Sequence, residues 1–193
     1  MTASSTRYCR RPSWLAAFAA LLVGVAAALP ARADGIEVRN AALIAAEDGY
    51  FLEAEFDIAL THTLEEALNK GVPLYFTLEF ELIRPRWYWL NEKLVNARQQ
   101  YRLSYNALTR HYRVGVGTLY QNFGTLAEAL AFLSRVRLRD LAEPGALGKG
   151  ASYTAALRLR LDTSQLPRPF QISAVGSREW SISSDWHRWT VSP

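Results

Sequence analysis

The residues best suited to bind a ligand form the hexapeptide Arg84-Pro85-Arg86-Trp87-Tyr88-Trp89, and two more tryptophans stand at Trp186 and Trp189. Guanidinium groups stack on aromatic rings and form bidentate hydrogen bonds with carboxylates and phosphates. The hexapeptide is therefore either a packing hub, with arginines stacked on rings, or an Arg-aromatic recognition surface. The candidate interaction residues are Arg84, Arg86, Trp87, Tyr88, Trp89, Trp186 and Trp189.

The histidines offer little basis for catalysis. His62, His111 and His187 are the only ones in the chain, and none has a second histidine or paired carboxylates at metal-ligand spacing. Asp185 and His187, with Ser183 and Ser184 nearby, match a nucleophilic triad in residue type. No G-x-S-x-G elbow accompanies them, so a surface or packing role for His187 is favoured.

Two other patterns resemble catalytic or phosphate-binding motifs only superficially. Glu79 and Glu81 share one strand face, as glycosidase carboxylates do, but solvation at the surface explains them more simply. The glycine-rich stretch from Gly145 to Gly150 lacks the spacing of a phosphate-binding loop. We therefore expect no catalytic residues, no metal and no cofactor.

The first 33 residues have the pattern of a cleavable signal peptide. Arg7, Arg10 and Arg11 form a basic region, Leu15 to Leu29 is apolar, and Ala31-Arg32-Ala33 matches a cleavage site. The apolar run is shorter than the ~20 residues that span a bilayer. The sequence predicts export by the general secretory route and one β-rich domain over residues 34–193, with a retained anchor as the alternative.

Removal of the signal peptide changes the charge balance. Four of the 22 Lys and Arg residues and none of the 18 Asp and Glu residues lie before residue 34, so the remaining chain has no net charge. The sequence therefore gives no reason to expect a nucleic-acid partner. The single cysteine, Cys9, lies in the signal peptide, so the exported domain is expected to contain no disulfide.

Charge is nevertheless divided along the chain. Residues 34–81 contain 11 acidic and two basic residues, whereas residues 82–193 contain seven acidic and 16 basic residues. One explanation is cross-strand pairing, with Glu79 or Glu81 against Arg102 as an example. The other is a dipolar surface that orients a partner.

Alternating apolar residues predict a mainly β protein. We expect two short helices, each opened by a capping box, at about 63–70 (Thr63 to Glu66, with Gly71 as the C-cap) and at 125–135 (Thr125 to Glu128). Strands are expected at 36–46, 50–60, 74–82, 98–105, 110–119, 136–141 and 153–161, with a last hairpin from 170–175 and 179–183. The fold class is an antiparallel β-sandwich-like single domain, with an α+β layered sheet as the alternative.

Several ordered stretches resemble a known family. They are Arg84 to Trp89, Tyr101 to Tyr105, Leu108 to Val114, Thr125 to Leu130 and Ser164 to Phe170. At these stretches the chain resembles an exported family of proteobacteria called domain of unknown function 4390, over most of residues 35–190. The resemblance implies the periplasm of a Gram-negative bacterium and a gene neighbourhood with an envelope sensor kinase of a two-component system. It implies no catalytic residues.

These observations support a leading functional hypothesis and two others. The first is a non-enzymatic periplasmic binding or adaptor domain, linked by the resemblance to envelope signalling. The second is a glycan or small-molecule binding protein in which Trp87, Trp89, Trp186 or Trp189 stacks a ligand. The third is a hydrolase without a recognisable motif, for which Asp185 and His187 are the residues to replace.

Overall fold

The strands and helices follow the alternation of apolar residues closely in the computed structural model, which describes residues 35–85, 92–148, 150–174 and 176–192. The predicted signal peptide and residues Arg86, Trp87, Tyr88 and Trp89 of the hexapeptide lie outside the described residues. The strands are β1 Gly35–Ala46, β2 Gly49–Ala59, β3 Leu74–Arg84, β4 Glu92–Asn106, β5 His111–Val116, β6 Leu119–Phe123, β7 Arg135–Ala142, β8 Tyr153–Leu161 and β9 His187–Val191. The helices are α1 His62–Asn69, α2 Leu126–Leu133 and α3 Arg168–Ala174, with short 3-10 helices at Thr163–Gln165 and Arg178–Trp180.

These strands form two antiparallel sheets. The smaller sheet has the order β1-β2-β7, and the larger has the order β6-β5-β4-β3-β8-β9. The expectation of a mainly β, antiparallel, sandwich-like fold is confirmed. The helices have seven or eight residues, about two turns each, and they lie at connections between strands.

The inner faces of both sheets meet in one hydrophobic core. Every second residue of β2 from Leu52 to Ile58 is buried, and so is every second residue of β3 from Leu74 to Leu82. These residues belong to one continuous cluster with the inner residues of β8. Strand β3 has a neighbour on both sides, and its Thr77 and Glu79 are buried on the opposite face as well.

The first helix begins two residues earlier than its capping box predicts. Thr61, not Thr63, is the N-cap, and its hydroxyl accepts a hydrogen bond from the Leu64 N–H at 3.3 Å. The Thr61 hydroxyl also donates to the Glu179 carbonyl at 2.7 Å, which ties the helix start to the second 3-10 helix. Thr63 instead donates to the Glu179 carboxylate at 2.8 Å. Gly71 follows the helix with a φ of 89°, as the C-terminal prediction requires.

Replacement of this cap should lower stability measurably. Thr61→Ala removes the acceptor for the Leu64 N–H, and we expect the free energy of unfolding to fall by about 1–2 kcal/mol. Thr63→Ala is the control, because loss of an exposed contact should change stability by about 0.5 kcal/mol or less. Urea denaturation of both variants measures the difference. Equal losses would show that Thr63 shares the capping role.

The second helix agrees with its predicted cap. The Thr125 hydroxyl accepts a hydrogen bond from the Glu128 N–H at 3.2 Å, and the Glu128 carboxylate accepts one from the Gly124 N–H at 3.2 Å. The local capping signal therefore located this helix correctly.

Two predictions about strands are wrong. The strand expected over 110–119 is a hairpin, because Gly117 adopts a φ of 59° and reverses the chain between β5 and β6. The hairpin expected near the C-terminus is also absent from the described residues there. Phe170 lies in α3, where Pro169 occupies the first turn and its missing N–H removes no helical hydrogen bond. Strand β9, which pairs with β8, was not predicted.

Candidate functional site

Among the predicted interaction residues that the structure describes, Trp186 and Trp189 have different surroundings. Arg84 is exposed at the end of β3, and its neighbours Arg86 to Trp89 lie outside the described residues. Trp189 is on β9 opposite Ala155, with its ring centroid 6.3 Å from that of Phe80, and it packs against the core. Trp186 instead lies beneath the Arg158 guanidinium, 4.6 Å from its ring centroid. Trp186 and Trp189 therefore do not form one stacking surface.

Two residues of the candidate triad, Ser184 and His187, have other contacts. The Ser184 hydroxyl is buried and accepts a hydrogen bond from the Leu159 N–H at 3.0 Å. The exposed His187 ring lies 5.5 Å from the Trp189 ring. Ser184 thus fixes the chain against β8, which is a structural role.

The outer face of the six-stranded sheet is rich in arginine, and we call it the arginine face. It is defined by Arg98 and Arg102 on β4, Arg113 on β5, Arg158 and Arg160 on β8, and Arg188 on β9. These side chains share a face because strand residues alternate and because the register aligns them. Glu79 is opposite Arg98 and Arg158, Arg113 is opposite Ser104, and Arg188 is opposite Ala156.

Glu79 is the buried carboxylate at the centre of this face. Arg158 contacts it at 2.5 and 3.1 Å, Arg160 at 3.5 Å and Arg98 at 3.8 Å. Burial raises the pKa of Glu79, but the hydrogen bond and charge of Arg158 and the charges of Arg160 and Arg98 outweigh it. The pKa is therefore lowered from 4.5 and the carboxylate is ionised at neutral pH.

Two sequence-based expectations about these carboxylates are wrong. Glu79 is 5% exposed and is not a solvated surface group. Arg102 pairs with neither Glu79 nor Glu81, because the register places it opposite Tyr75. Glu81 instead accepts a hydrogen bond from Lys93 at 2.9 Å.

A cleft of about 400 Å³ lies on the arginine face beside the Glu79 cluster. A row of four residues crosses it from β3 to β6, since Tyr75 is opposite Arg102, Arg102 is opposite Gly115, and Gly115 is opposite Tyr120. The cleft is also lined by Gln99, Gln100, Ser104, Arg113, Gly117, Thr118 and Leu119. Its lining thus combines cationic, aromatic and hydrogen-bonding groups.

The two arginines of the cleft are held by tyrosine rings. The Arg102 guanidinium is 5.8 Å from the Tyr75 ring centroid, and that of Arg113 is 4.5 Å from the Tyr120 centroid. Arg113 also donates to the Asn122 side-chain oxygen at 3.0 Å. Within the part of the chain that the structure describes, no carboxylate lies within ion-pair distance of Arg102 or Arg113.

Gly115 keeps the floor of the cleft open. A Cβ atom at this position would be 3.6 Å from the Leu119 carbonyl oxygen and 3.9 Å from the Arg102 Cβ, which are ordinary contact distances. Its φ is not in the left-handed region, so the backbone does not require glycine here. The missing side chain therefore affects the space above the sheet and not the fold of β5.

Sequence reasoning missed this site although it noted two stretches that contribute to it. Arg102 lies in the Tyr101 to Tyr105 stretch and Arg113 in the Leu108 to Val114 stretch. Each arginine is next to a buried apolar residue, Leu103 or Val114. The local alternation alone therefore predicts that both arginine side chains point away from the core. Their convergence with Tyr75 and Tyr120 depends on the register of four strands.

The arrangement can bind an anion. Two guanidinium groups, neither paired with a carboxylate of the described residues, flank an open floor, with amide and hydroxyl groups beside them. Among the described residues, no group of three or more His, Asp or Glu side chains could hold a metal ion. In the same residues, no helix is long and apolar enough to cross a membrane.

Comparison with known proteins assigns the chain to a family. No curated protein and no solved structure matches it. One family model, described as "Domain of unknown function (DUF4390)", matches residues 33–190. That range includes both sheets except the last residue of β9, and it includes every residue of the cleft. The chain therefore belongs to the DUF4390 family.

Proposed function

We propose that this chain is an exported, non-enzymatic binding or adaptor domain that holds an anionic partner on the arginine face. The proposal rests on the surroundings of the Arg102 and Arg113 side chains. Both line the cleft, both are stacked on tyrosine rings, and neither is neutralised by a carboxylate of the described residues.

The contrast with the rest of the face supports this choice. Arg98, Arg158 and Arg160 share Glu79, and Lys93 is paired with Glu81. Arg102 and Arg113 differ from these cations because no carboxylate among the described residues competes with an anionic partner for them. Complementary charge increases association rates and fixes the orientation of a partner more than it raises affinity.

Export is the second part of the proposal. The basic region, the apolar run from Leu15 to Leu29 and the Ala31-Arg32-Ala33 site support passage through the general secretory route and cleavage. The family resemblance supports the periplasm of a Gram-negative bacterium as the destination. It also supports an envelope protein, in the neighbourhood of a sensor kinase, as the partner.

A binding site for a glycan or small molecule is the alternative. The cleft volume of about 400 Å³ lies in the range of small-molecule sites, and its two tyrosine rings offer stacking surfaces. Thermal-shift measurements with envelope metabolites and glycan fragments address this alternative, since stabilisation by an uncharged glycan would favour it.

Photo-crosslinking in cells tests the proposal. With a photoreactive residue at Gln100, which lines the cleft, we expect a discrete crosslinked product that contains a partner protein. Arg102→Glu and Arg113→Glu should each weaken that product by about tenfold, because charge reversal repels an anionic partner by about 1.4 kcal/mol or more. Immunoblotting measures the amount of the crosslinked product, and mass spectrometry identifies the partner protein.

The chain offers a matched control on the same face. Arg188→Glu makes the same charge change on β9, at the opposite edge of the sheet, and should leave the product unchanged. Gly115→Val fills the floor without a change of charge and should weaken the product as the charge reversals at Arg102 and Arg113 do, while circular dichroism shows an intact fold. Equal loss in all variants, or no product from Gln100, would contradict the proposed site.

A further inference from the structure

Strand β6 is an edge of the six-stranded sheet, and it has no charged residue. Its sequence is Leu119-Tyr120-Gln121-Asn122-Phe123, and all residues but the last are exposed. The other three edge strands contain the charges that usually block edge-to-edge pairing. These are Glu37 and Arg39 on β1, Arg135, Arg137, Arg139 and Asp140 on β7, and Arg188 on β9.

The backbone of β6 has groups available for pairing on its outer side. The β5–β6 hairpin has a two-residue loop, Gly117-Thr118, flanked by the pair Val116 and Leu119. In such a hairpin the flanking pair exchanges backbone hydrogen bonds, and every second residue then does the same. The N–H and C=O groups of Tyr120 and Asn122 therefore point away from β5, toward the open edge.

The two sides of this edge differ in chemistry. On the outer side, the Arg113 guanidinium lies over the Tyr120 ring and donates a hydrogen bond to the Asn122 side chain, which places its positive charge at the edge. On the inner side, Leu119 is 77% exposed and Phe132 is 40% exposed, with Phe132 packed 5.3 Å from Phe123. A strand added here would have alternate side chains beside a cation and beside apolar groups.

We infer that the β6 edge receives an extended segment of a partner protein in which acidic and apolar residues alternate. The segment adds a strand beside β6, its backbone pairs with Tyr120 and Asn122, its carboxylates face Arg113, and its apolar side chains face Leu119 and Phe132. Strand addition is a common mode of peptide recognition, with affinity from main-chain hydrogen bonds and specificity from alternate side chains. This inference rests on the proposed function and specifies its partner.

A second copy of the chain is disfavoured as the occupant by charge. Antiparallel pairing of two β6 edges would bring the Arg113 side chains of both copies toward the shared edge, because each lies over Tyr120 of β6. Arg113 has no carboxylate partner in the described residues, so the like charges would repel. An acidic segment removes that repulsion.

A proline substitution at the edge provides the test. Proline lacks the N–H group but is tolerated on an edge strand where that group faces solvent. Asn122→Pro should therefore keep the fold and prevent strand addition. Asn122→Ala is the matched control, because both variants lose the hydrogen bond to Arg113 and only the proline removes the N–H. The protein is purified after export, and circular dichroism and thermal melting confirm its fold.

The probe is a short fluorescent peptide in which glutamate and valine alternate, with a glutamine-for-glutamate version as its neutral counterpart. Fluorescence anisotropy should show binding of the acidic peptide to the wild type and to Asn122→Ala. We expect Asn122→Pro and Arg113→Glu each to weaken it at least about tenfold, which is 1.4 kcal/mol. The neutral peptide should bind about tenfold more weakly than the acidic one.

Each other outcome overturns the inference in a distinct way. If Arg113→Glu abolishes binding and Asn122→Pro does not, the anion site stands and strand addition is wrong. If the acidic peptide does not bind the wild type, the inference is wrong, and the crosslink from Gln100 decides the proposed function separately. If light scattering shows a wild-type dimer that Asn122→Pro dissociates, a second copy occupies the edge.

Discussion

Glu79→Gln is expected to lower the free energy of unfolding by about 3 kcal/mol. This is the lower end of the range for removal of one partner from a buried ion pair, because the carboxylate is buried but the side chains of Arg158, Arg160 and Arg98 are 30%, 34% and 69% exposed. The carboxylate is 5% exposed and contacts Arg98, Arg158 and Arg160. A neutral amide leaves these cations without a counter-charge on a crowded face. Thermal denaturation should show a melting temperature lower by about 6–12 °C for a chain of this size.

Glu81→Gln is the matched control for this prediction. It lies two residues along the same strand, and its pair with Lys93 is more exposed, so a loss of about 0–1 kcal/mol is expected. Similar losses for Glu79→Gln and Glu81→Gln would show that the Glu79 cluster contributes no more than a surface pair.

The pH dependence of stability tests whether the ionised carboxylate of Glu79 causes the difference between the wild type and Glu79→Gln. The pKa of Glu79 is lowered from 4.5 by its arginines, so its contribution is complete above that value. It is lost as the pH falls through the lowered pKa of the folded state. The stability difference between the wild type and Glu79→Gln should therefore be constant near neutral pH and should shrink below pH 4.5.

Trp189→Ala should be the second most destabilising of these changes, at about 2–3 kcal/mol. Full burial of a large aromatic contributes about 3–5 kcal/mol, and Trp189 is only half-buried. Its ring covers Phe80 at a centroid distance of 6.3 Å. Urea denaturation measures the loss, and binding measurements show whether the variant still holds its partner.

Trp186→Ala is the comparison for Trp189. Trp186 supports the Arg158 guanidinium, so we expect a loss of about 1 kcal/mol, the size of one cation–π contact. If Trp189→Ala remains folded, changes stability little and binds its partner much more weakly, Trp189 contacts the partner and is not mainly a core residue.

The local pattern of apolar and capping residues was sufficient to predict much of the fold. The alternation in β2 and β3 located two buried faces correctly, because one face of a strand in a sandwich must be apolar. The cap of α2 was also readable, since the Thr125 to Glu128 hydrogen bonds involve neighbours in sequence. These features depend only on short-range interactions.

The candidate site depends on long-range register, which a single sequence does not specify. Glu79 meets Arg158 across 79 residues of chain, and nothing near Glu79 in sequence distinguishes it from Glu81. The cleft likewise needs β3, β4, β5 and β6 side by side before Tyr75 and Tyr120 face it. Gly117 is a turn signal in the sequence, but only the pairing of β6 with β5 shows that it reverses the chain direction in place of bending one strand.

The shared carboxylate at Glu79 also affects the conformational entropy of the arginine face. An arginine side chain loses up to about 2 kcal/mol of rotamer freedom when it is immobilised. Arg158 and Arg160 have their guanidinium groups fixed on Glu79 during folding, before any partner arrives. A ligand that contacts them meets donors already in place and avoids an ordering penalty of about 0.5–1.5 kcal/mol per side chain.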